Sequence, residues 1–206
     1  MAGVRISNLT QRFDRREVFH GLNFAFDGSC LAITGPNGSG KSTLLRILAG
    51  LLVPTAGEAR LLIDGDEIER NQARALIGLA APDVQLYAEL SVKENIAFLL
   101  RARGLSDIPS RVNAALERVD LSERGGDAVA ELSSGLQQRA AIAAAIAHEP
   151  SVLLLDEPSS NLDESGIRML HGIVEWQRAR GLAVIATNDP DEAALAAGCL
   201  DLGAAR

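Results

Sequence analysis

The segment GPNGSGKST at residues 35–43 restricts the choice of fold more than any other part of this 206-residue sequence. Its glycines allow backbone N–H groups to turn inward around an anion, and Lys41 adds a full positive charge beside them. The apolar run CLAIT comes directly before the segment, and residues 41–52 have the apolar spacing of a helix. This order of strand, glycine-rich turn and helix predicts a P-loop, which holds a phosphate at the helix N-terminus.

Most positions of the predicted loop would contact a nucleotide. We expect the phosphates to be held by Gly35, Asn37, Gly38, Ser39, Gly40, Lys41, Ser42 and Thr43. Lys41 would lie near the β and γ phosphates, and the Ser42 hydroxyl would ligate Mg²⁺. The cofactors predicted from this segment are therefore ATP and Mg²⁺.

A second apolar run, SVLLLDEP at residues 151–158, ends in two carboxylates. Because parallel sheets bind ligands at the carboxyl edge of their strands, these side chains are expected beside the phosphates. Asp156 can hold Mg²⁺ through water, and Glu157 can orient an attacking water. The two motifs suit phosphoryl transfer in general, and a nucleotide kinase would also carry them.

Strand and helix patterns alternate along the chain. Apolar or alternating runs predict strands over residues 4–13, 18–26, 29–35, 58–65, within 73–81, and in LAVIATN at 182–188. Residues 91–147 are mostly helical in pattern, and Ser91 and Glu94 have the spacing of a capping box. Such alternation predicts an α/β fold with a mainly parallel sheet.

Composition limits the choice of partners. A net charge of −7 disfavours a general nucleic-acid-binding surface, so we expect no nucleic acid among the partners. Two cysteines, Cys30 and Cys199, are typical of a reduced cytosolic chain. The N-terminal segment lacks the apolar core of a signal peptide, and no stretch approaches the ~18 apolar residues of a spanning helix. A role at a membrane would therefore need a partner.

Residues 131–163, ELSSGLQQRAAIAAAIAHEPSVLLLDEPSSNLD, decide between the alternatives left open above. They resemble the signature, Walker B and D-loop block of ATP-binding cassette (ABC) ATPases, and the resemblance covers essentially the whole chain. It implies a P-loop NTPase core with a mainly parallel sheet, an N-terminal antiparallel β part and an inserted α-helical subdomain. One ABC ATPase domain would then span residues 1–206, with the helical subdomain at approximately 85–145. The resemblance also implies that Phe13 stacks on adenine, whereas a strand pattern alone would place it in the core.

The signature turn has a role between subunits in this family. Ser133, Ser134 and Gly135 begin a predicted helix, where hydroxyls, N–H groups and the helix dipole form an anion site. The resemblance implies that this turn meets the γ-phosphate held by a second ABC subunit, so that two cassettes enclose two ATP molecules head to tail. The D-loop, residues 159–163, would cross the same interface. The sequence leaves open whether the dimer is a homodimer or a heterodimer.

The signature and the Q-loop of the family are not matched in full. The signature usually reads LSGGQ, whereas here Leu136 stands in place of the glutamine, and Gln137 is a candidate substitute. The Q-loop glutamine, which contacts Mg²⁺ and the transport subunit, would fall on Pro82, which has no N–H to donate. Asp83 would replace it if the loop is one residue shorter, and Gln85 if the loop bulges.

The family's γ-phosphate histidine is also replaced. Asn188 follows the last strand at that position, and an asparagine amide donates a hydrogen bond but carries no positive charge. Loss of the charge would cost about 1–3 kcal/mol. The hypothesis is a cassette that binds MgATP normally and hydrolyses it slowly.

The resemblance implies an ATPase subunit of an ABC transporter. Two copies would dock beneath integral membrane transport subunits, so we expect a cytoplasmic protein held peripherally at the inner face of the cell membrane. The build resembles small export-type cassettes such as the cytochrome c biogenesis haem exporter, and we expect no appended regulatory domain after AAGCLDLGAAR. The alternatives are a cytosolic ABC ATPase outside transport and an ATP-gated clamp with little hydrolysis.

Overall fold

Two sheets form the framework of the protein. The computed structural model describes residues 2–14, 16–68, 72 and 75–203; Ala73 and Arg74 of the predicted 73–81 segment lie outside these ranges. One sheet is antiparallel and consists of β1 (Gly3–Phe13), β2 (Arg16–Asp27), β4 (Ala56–Ile63) and β5 (Asp66–Glu67), in the order β2-β1-β4-β5. The N-terminal antiparallel part expected from the resemblance is therefore confirmed.

The second sheet is parallel and carries the predicted phosphate motifs. It consists of β3 (Cys30–Thr34), β6 (Ile77–Ala80), β7 (Val152–Asp156), β8 (Leu182–Ala186) and β9 (Gly198–Asp201), in the order β6-β7-β8-β3-β9. The strands β7 and β8 are buried along their whole length, as both faces of the sheet are covered. This burial explains why their sequences are unbroken apolar runs rather than alternating ones.

Successive side chains of β7 enter two different hydrophobic cores. Val152 and Leu154 pack with α1 (Lys41–Leu48) and the antiparallel sheet, whereas Leu153 and Leu155 pack with the helices on the opposite face. The alternation follows from the pleat of a strand, which points neighbouring side chains to opposite faces. Because the strand is packed from both sides, its end is fixed at Asp156, and Glu157 follows directly.

Other helices in the described ranges include α2 (Val92–Ala102), α3 (Ile108–Arg118), α4 (Ser134–Ile146), α5 (Glu164–Arg178) and the short α6 (Pro190–Ala193). The predicted capping box opens α2: the Glu94 N–H donates to Ser91 Oγ at 3.2 Å, and the Ser91 N–H donates to Glu94 Oε2 at 2.8 Å. Hydrogen bonds that the Ser91 hydroxyl and, to a smaller extent, the Ser91 N–H donate to Glu94 Oε2 lower the pKa of the Glu94 carboxyl. No helix in the described ranges has the length and apolar character that a membrane crossing needs.

The first helix ends four residues earlier than the periodicity over 41–52 predicts. Its last residue is Leu48, and Gly50 follows in the left-handed conformation with φ 70°. The Leu51 N–H donates to the Arg46 carbonyl at 2.9 Å, and the Gly50 N–H donates to Ile47 at 3.0 Å. This pair of bonds is a Schellman motif, so the glycine ends the helix and turns Leu51 out into solvent.

Candidate functional site

The glycine-rich loop lies between the end of β3 and the start of α1. Gly40 precedes the helix with φ 108°, and a Cβ at this position would lie 2.5 Å from Val18 Cγ1. Gly35 has φ 139°, and its Cβ would lie 2.8 Å from Ser39 Oγ. A side chain at either position is therefore excluded by both backbone conformation and space.

Lys41 lies at the centre of the loop, and its side chain is only 6% exposed. Its ammonium donates to the Gly35 carbonyl and to Asn188 Oδ1, both at 2.8 Å, and lies 3.3 Å from Glu157 Oε1. Acceptors from the loop, from the residue after β7 and from the segment after β8 thus converge on one cation. A triphosphate entering this loop would be an additional anionic partner for the same charge.

Asp156 ends β7 and has the features of a cation ligand. Its side chain is buried, and its Oδ1 has no hydrogen-bond partner in the described part of the chain. Burial raises the pKa of this carboxyl, and the neighbouring charge of Glu157 adds to the increase, while a hydrogen bond from Ser42 opposes it. A desolvated carboxylate oxygen beside a hydroxyl fits Mg²⁺, which usually takes one or two protein ligands together with phosphate and water.

Glu157 follows with an unusual backbone conformation. Its φ is 47°, a left-handed value that costs free energy in a residue other than glycine. The conformation is held by a hydrogen bond from the Glu157 N–H to the Ala186 carbonyl of β8, at 2.8 Å. It leaves the Glu157 carboxylate one-third exposed beside Lys41, whereas the Asp156 side chain is buried.

A cleft of about 450 Å³ lies over the loop. It brings together the predicted residues Phe13, Asn37, Gly38, Gly40, Lys41, Ser42, Thr43 and Glu157. Phe13 lies at the rim with 45% of its surface exposed, so the alternative that it is a core residue is wrong. An exposed ring at the edge of a phosphate cleft can stack on a base.

Sequence reasoning missed Arg16 and Val18, which line the same cleft. The Arg16 guanidinium donates to the Gly38 carbonyl at 2.9 Å and places a second cation beside the phosphate loop. The only signal in the sequence was the pair of arginines in the segment DRRE after Phe13. The direction of the Arg16 side chain depends on the antiparallel sheet, because this sheet places the start of β2 over the phosphate loop.

The signature turn lies apart from this cleft. Ser133 and Ser134 are exposed at the start of α4, where Ser133 Oγ accepts the Leu136 N–H at 3.4 Å. A Cβ on Gly135 would lie 2.7 Å from the Asn161 carbonyl, so the turn is in close contact with the segment 159–163. None of the three residues lines the cleft among the residues that the structure describes.

Gln137 does not point into an anion site in place of the missing signature glutamine. Its side-chain amide donates to the Val129 and Leu132 carbonyls, both at 3.1 Å, so it supports the turn before the helix. In the loop after β6, Asp83 forms an ion pair with Arg46 of α1 at 2.8 Å. Gln85 is exposed and lines a groove between the parallel sheet and the helices.

Asn188 connects three parts of the site. In addition to accepting from Lys41, its amide donates to Asn37 Oδ1, and its N–H donates to Glu157 Oε2 at 3.4 Å. His148 is remote: its ring contacts the Ile77 carbonyl, and burial lowers its pKa to about 4. Asn188 therefore contacts the loop lysine and Glu157 without supplying a positive charge.

The comparisons with known proteins agree with this site. A family model described as ABC transporter matches residues 19–160. The chain is 31% identical over 191 residues to the uncharacterized ABC transporter ATP-binding protein YybJ of Bacillus subtilis, covering 92% of this chain and 86% of YybJ. It is 38% identical to the sulfate/thiosulfate import ATP-binding protein CysA of Mesostigma viride, covering 92% of this chain but only 56% of CysA.

A solved structure gives the same result for the fold. The dimeric structure of MJ0796, a bacterial ABC transporter cassette, superimposes with a TM-score of 0.81 at 25% identity, over 97% of this chain and 95% of MJ0796. Its dimeric form agrees with a signature turn that lies apart from the cleft of its own chain. The family match, the relatives and the shared fold establish that the chain belongs to the ABC transporter family, as one of its ATP-binding ATPase cassettes.

Proposed function

We propose that this cassette is the ATP-binding subunit of an ABC transporter, with one domain over residues 1–206 and its helical part at about 85–145. Two cassettes close head to tail over MgATP, and hydrolysis reopens them. Separate integral membrane subunits carry the cargo and hold the cassette at the inner face of the cell membrane. The observation that carries this proposal is the convergence of Lys41 and Glu157 on one cleft, with the buried Asp156 beside Glu157 at the end of β7 and the signature turn exposed elsewhere.

The cleft supplies the parts that phosphoryl transfer to water needs. Lys41 neutralises phosphate charge, and the loop N–H groups fix its position. Ser42 and Asp156 would hold Mg²⁺, which supplies charge neutralisation on the phosphates when bound. Glu157 accepts a hydrogen bond from the attacking water, and its exposed position beside Lys41 keeps it within the cleft.

The head-to-tail dimer is supported by the placement of the signature turn. Ser133 and Ser134 are exposed at the N-terminus of a 13-residue helix, where N–H groups and the helix dipole favour an anion. Since the turn does not line the cleft of its own chain, its natural anion is a phosphate held by a second cassette. ATP then joins the subunits because it binds the closed pair more tightly than the open one.

A groove on another face fits the membrane subunits. This apolar groove encloses about 430 Å³ and is lined mainly by aliphatic residues, among them Leu51, Leu79, Val84, Leu86 and Leu99. Its margin carries Tyr87, 56% exposed, with its ring edge-on to Phe98 at 5.5 Å between centroids. A concave apolar surface with aromatic margins favours an amphipathic helix or loop of a partner.

Charge in the groove should detach the membrane partner. We expect Val84→Asp to reduce recovery of a polytopic membrane protein with the tagged cassette by about tenfold, because a desolvated carboxylate would replace an apolar contact. Recovery is measured by quantitative mass spectrometry after mild detergent extraction, with ATP affinity measured in parallel. The control is Ile167→Asp, which adds the same charge to an exposed position of α5.

Two outcomes would contradict the transport assignment. One is equal recovery of the membrane protein with the Val84 and Ile167 variants. The other is a ribosome or a soluble scaffold as the main partner of the unaltered chain, which would favour the cytosolic ABC ATPase. An undisturbed ATP affinity in both variants is required, so that a lost partner is not confused with a lost nucleotide site.

Slow hydrolysis is the second part of the proposal. Asn188 contacts Lys41, Asn37 and Glu157 but brings no cation to the γ-phosphate side. We expect Asn188→His to raise steady-state ATPase turnover about ten- to a hundredfold, because a charge-assisted contact replaces a neutral one in the transition state. The control Asn188→Ala has no side-chain hydrogen-bond donor, so its ATPase turnover should be equal to or below that of the parent. Unchanged turnover in the histidine variant would show that Asn188 is not what limits the rate.

A further inference from the structure

Glu192 is a buried carboxylate outside the cleft. It lies in α6, only 3% exposed, and its Oε1 accepts the Ser159 N–H at 2.9 Å. Its Oε2 has no hydrogen-bond partner in the ranges that the structure describes. A buried carboxylate with one unsatisfied oxygen is costly to keep, so packing alone is a poor explanation for it.

The segment that carries Glu192 also contacts the phosphate site. Asn188, four residues earlier, accepts from Lys41 and donates its N–H to Glu157. Between them, the Asp189 side chain accepts the Asp191 N–H at 2.8 Å, and the Asp189 N–H donates to Thr187 Oγ1 at 2.9 Å. These short-range bonds make residues 187–192 a compact unit with the cleft at one end and Ser159 at the other.

Ser159 begins the segment that supports the signature turn. Its carbonyl accepts the Leu162 N–H at 2.9 Å, and the Asn161 carbonyl lies against Gly135. One residue before Ser159, the Pro158 carbonyl accepts the Gln138 amide at 3.1 Å. The position of residues 159–161 therefore bears directly on the start of α4.

We propose that Glu192 is a positioning residue that fixes the 159–163 segment relative to Asn188 and so aligns the signature turn with the partner's ATP. This inference rests on the proposed head-to-tail dimer. A carboxylate that accepts a backbone N–H in a buried setting makes a short, strong and directional bond. Through this hydrogen bond, residues 188–192 of one chain fix the position of the signature turn that the same chain presents to its partner's ATP.

The test compares Glu192→Ala, Glu192→Gln and a control, Asp191→Ala, which removes the neighbouring exposed acid. All three are made in a Glu157→Gln background, where ATP-driven dimers accumulate. We expect Glu192→Ala to raise the ATP concentration for half-maximal dimerisation about tenfold, the size of one lost charged hydrogen bond. ATP affinity of the monomer should change less than about twofold, since Glu192 does not contact the cleft. The glutamine variant should recover most of the loss because its amide oxygen accepts the same N–H.

Hydrogen exchange of the Ser159 amide provides a second readout in the monomer. It should speed up at least about tenfold in Glu192→Ala and stay near the parent rate in Glu192→Gln. Dimerisation of Glu192→Ala equal to the parent would overturn the proposal, and so would an equal loss in the glutamine variant. If the Glu157→Gln parent itself fails to dimerise with ATP, the proposed dimer is wrong. A faster exchange of the Ser159 amide in Glu192→Ala would then show only that Glu192 is a local structural contact.

Discussion

Replacement of Lys41 with alanine is expected to weaken ATP binding by about a hundredfold or more, because more than one charge-assisted contact is lost. The ammonium is nearly buried and is shared by Gly35, Asn188 and Glu157. Without it, the Glu157 carboxylate would face the triphosphate with no cation between them. The variant therefore loses an attraction and gains a repulsion in the same place.

The chain offers a matched control for this experiment. Lys93 is the only other lysine of the sequence and lies exposed on α2, so Lys93→Ala removes the same charge away from the cleft. Titration calorimetry with MgATP should give parent-like affinity for the Lys93 variant and no measurable heat of binding for the Lys41 variant. An ATP affinity of Lys41→Ala within about tenfold of the parent would show that the assignment of the loop lysine is wrong.

Glu157→Gln should lower ATP turnover by about a hundredfold or more while leaving ATP bound, since a general base contributes roughly that factor. The amide keeps the shape of the side chain but cannot accept a proton from water. It also removes a negative charge 3.3 Å from Lys41, which frees that cation for phosphate. ATP should therefore persist, and the closed dimer that it holds together should accumulate.

Hydrodynamic size distinguishes this outcome from simple inactivation. Light scattering with size-exclusion chromatography should show a dimer for Glu157→Gln with ATP and a monomer with ADP. The control Glu164→Gln changes an acid whose side chain is 90% exposed at the start of α5, and it should keep parent turnover. Turnover of Glu157→Gln within about threefold of the parent would place the water-orienting group elsewhere.

The elements built from contiguous residues were predicted well. The strand before the phosphate loop, the loop itself and the Ser91 capping box depend on neighbours in sequence, so their patterns predict them directly. The paired carboxylates after β7 were predicted for the same reason, because an apolar strand followed by charge marks the edge of a sheet. The end of α1 was missed because the apolar spacing continues past Gly50, which terminates the helix through backbone conformation.

Contacts between distant segments could not be predicted in this way. Asn188 reaches Lys41 across 147 positions of sequence, and Arg16 reaches Gly38 from the antiparallel sheet. Gln137 is the same residue type as the glutamine of the family signature, yet its side-chain amide donates to the Val129 and Leu132 carbonyls. In each case, the direction of a side chain is set by the packing of the elements that carry it.

The sequence by itself indicated the chemistry of this protein: a phosphate loop, an aspartate and a glutamate at the end of an apolar strand, and a turn predicted to bind an anion. Local backbone preferences and hydrophobic periodicity suffice for that, since each motif is a short segment with its own conformation. Only the tertiary structure decided which motifs share a cleft, that the signature turn lies apart from it, and that Glu192 joins Ser159 to the segment beside Lys41. Those relations come from the order of strands in the parallel sheet, which brings residues far apart in sequence to one edge.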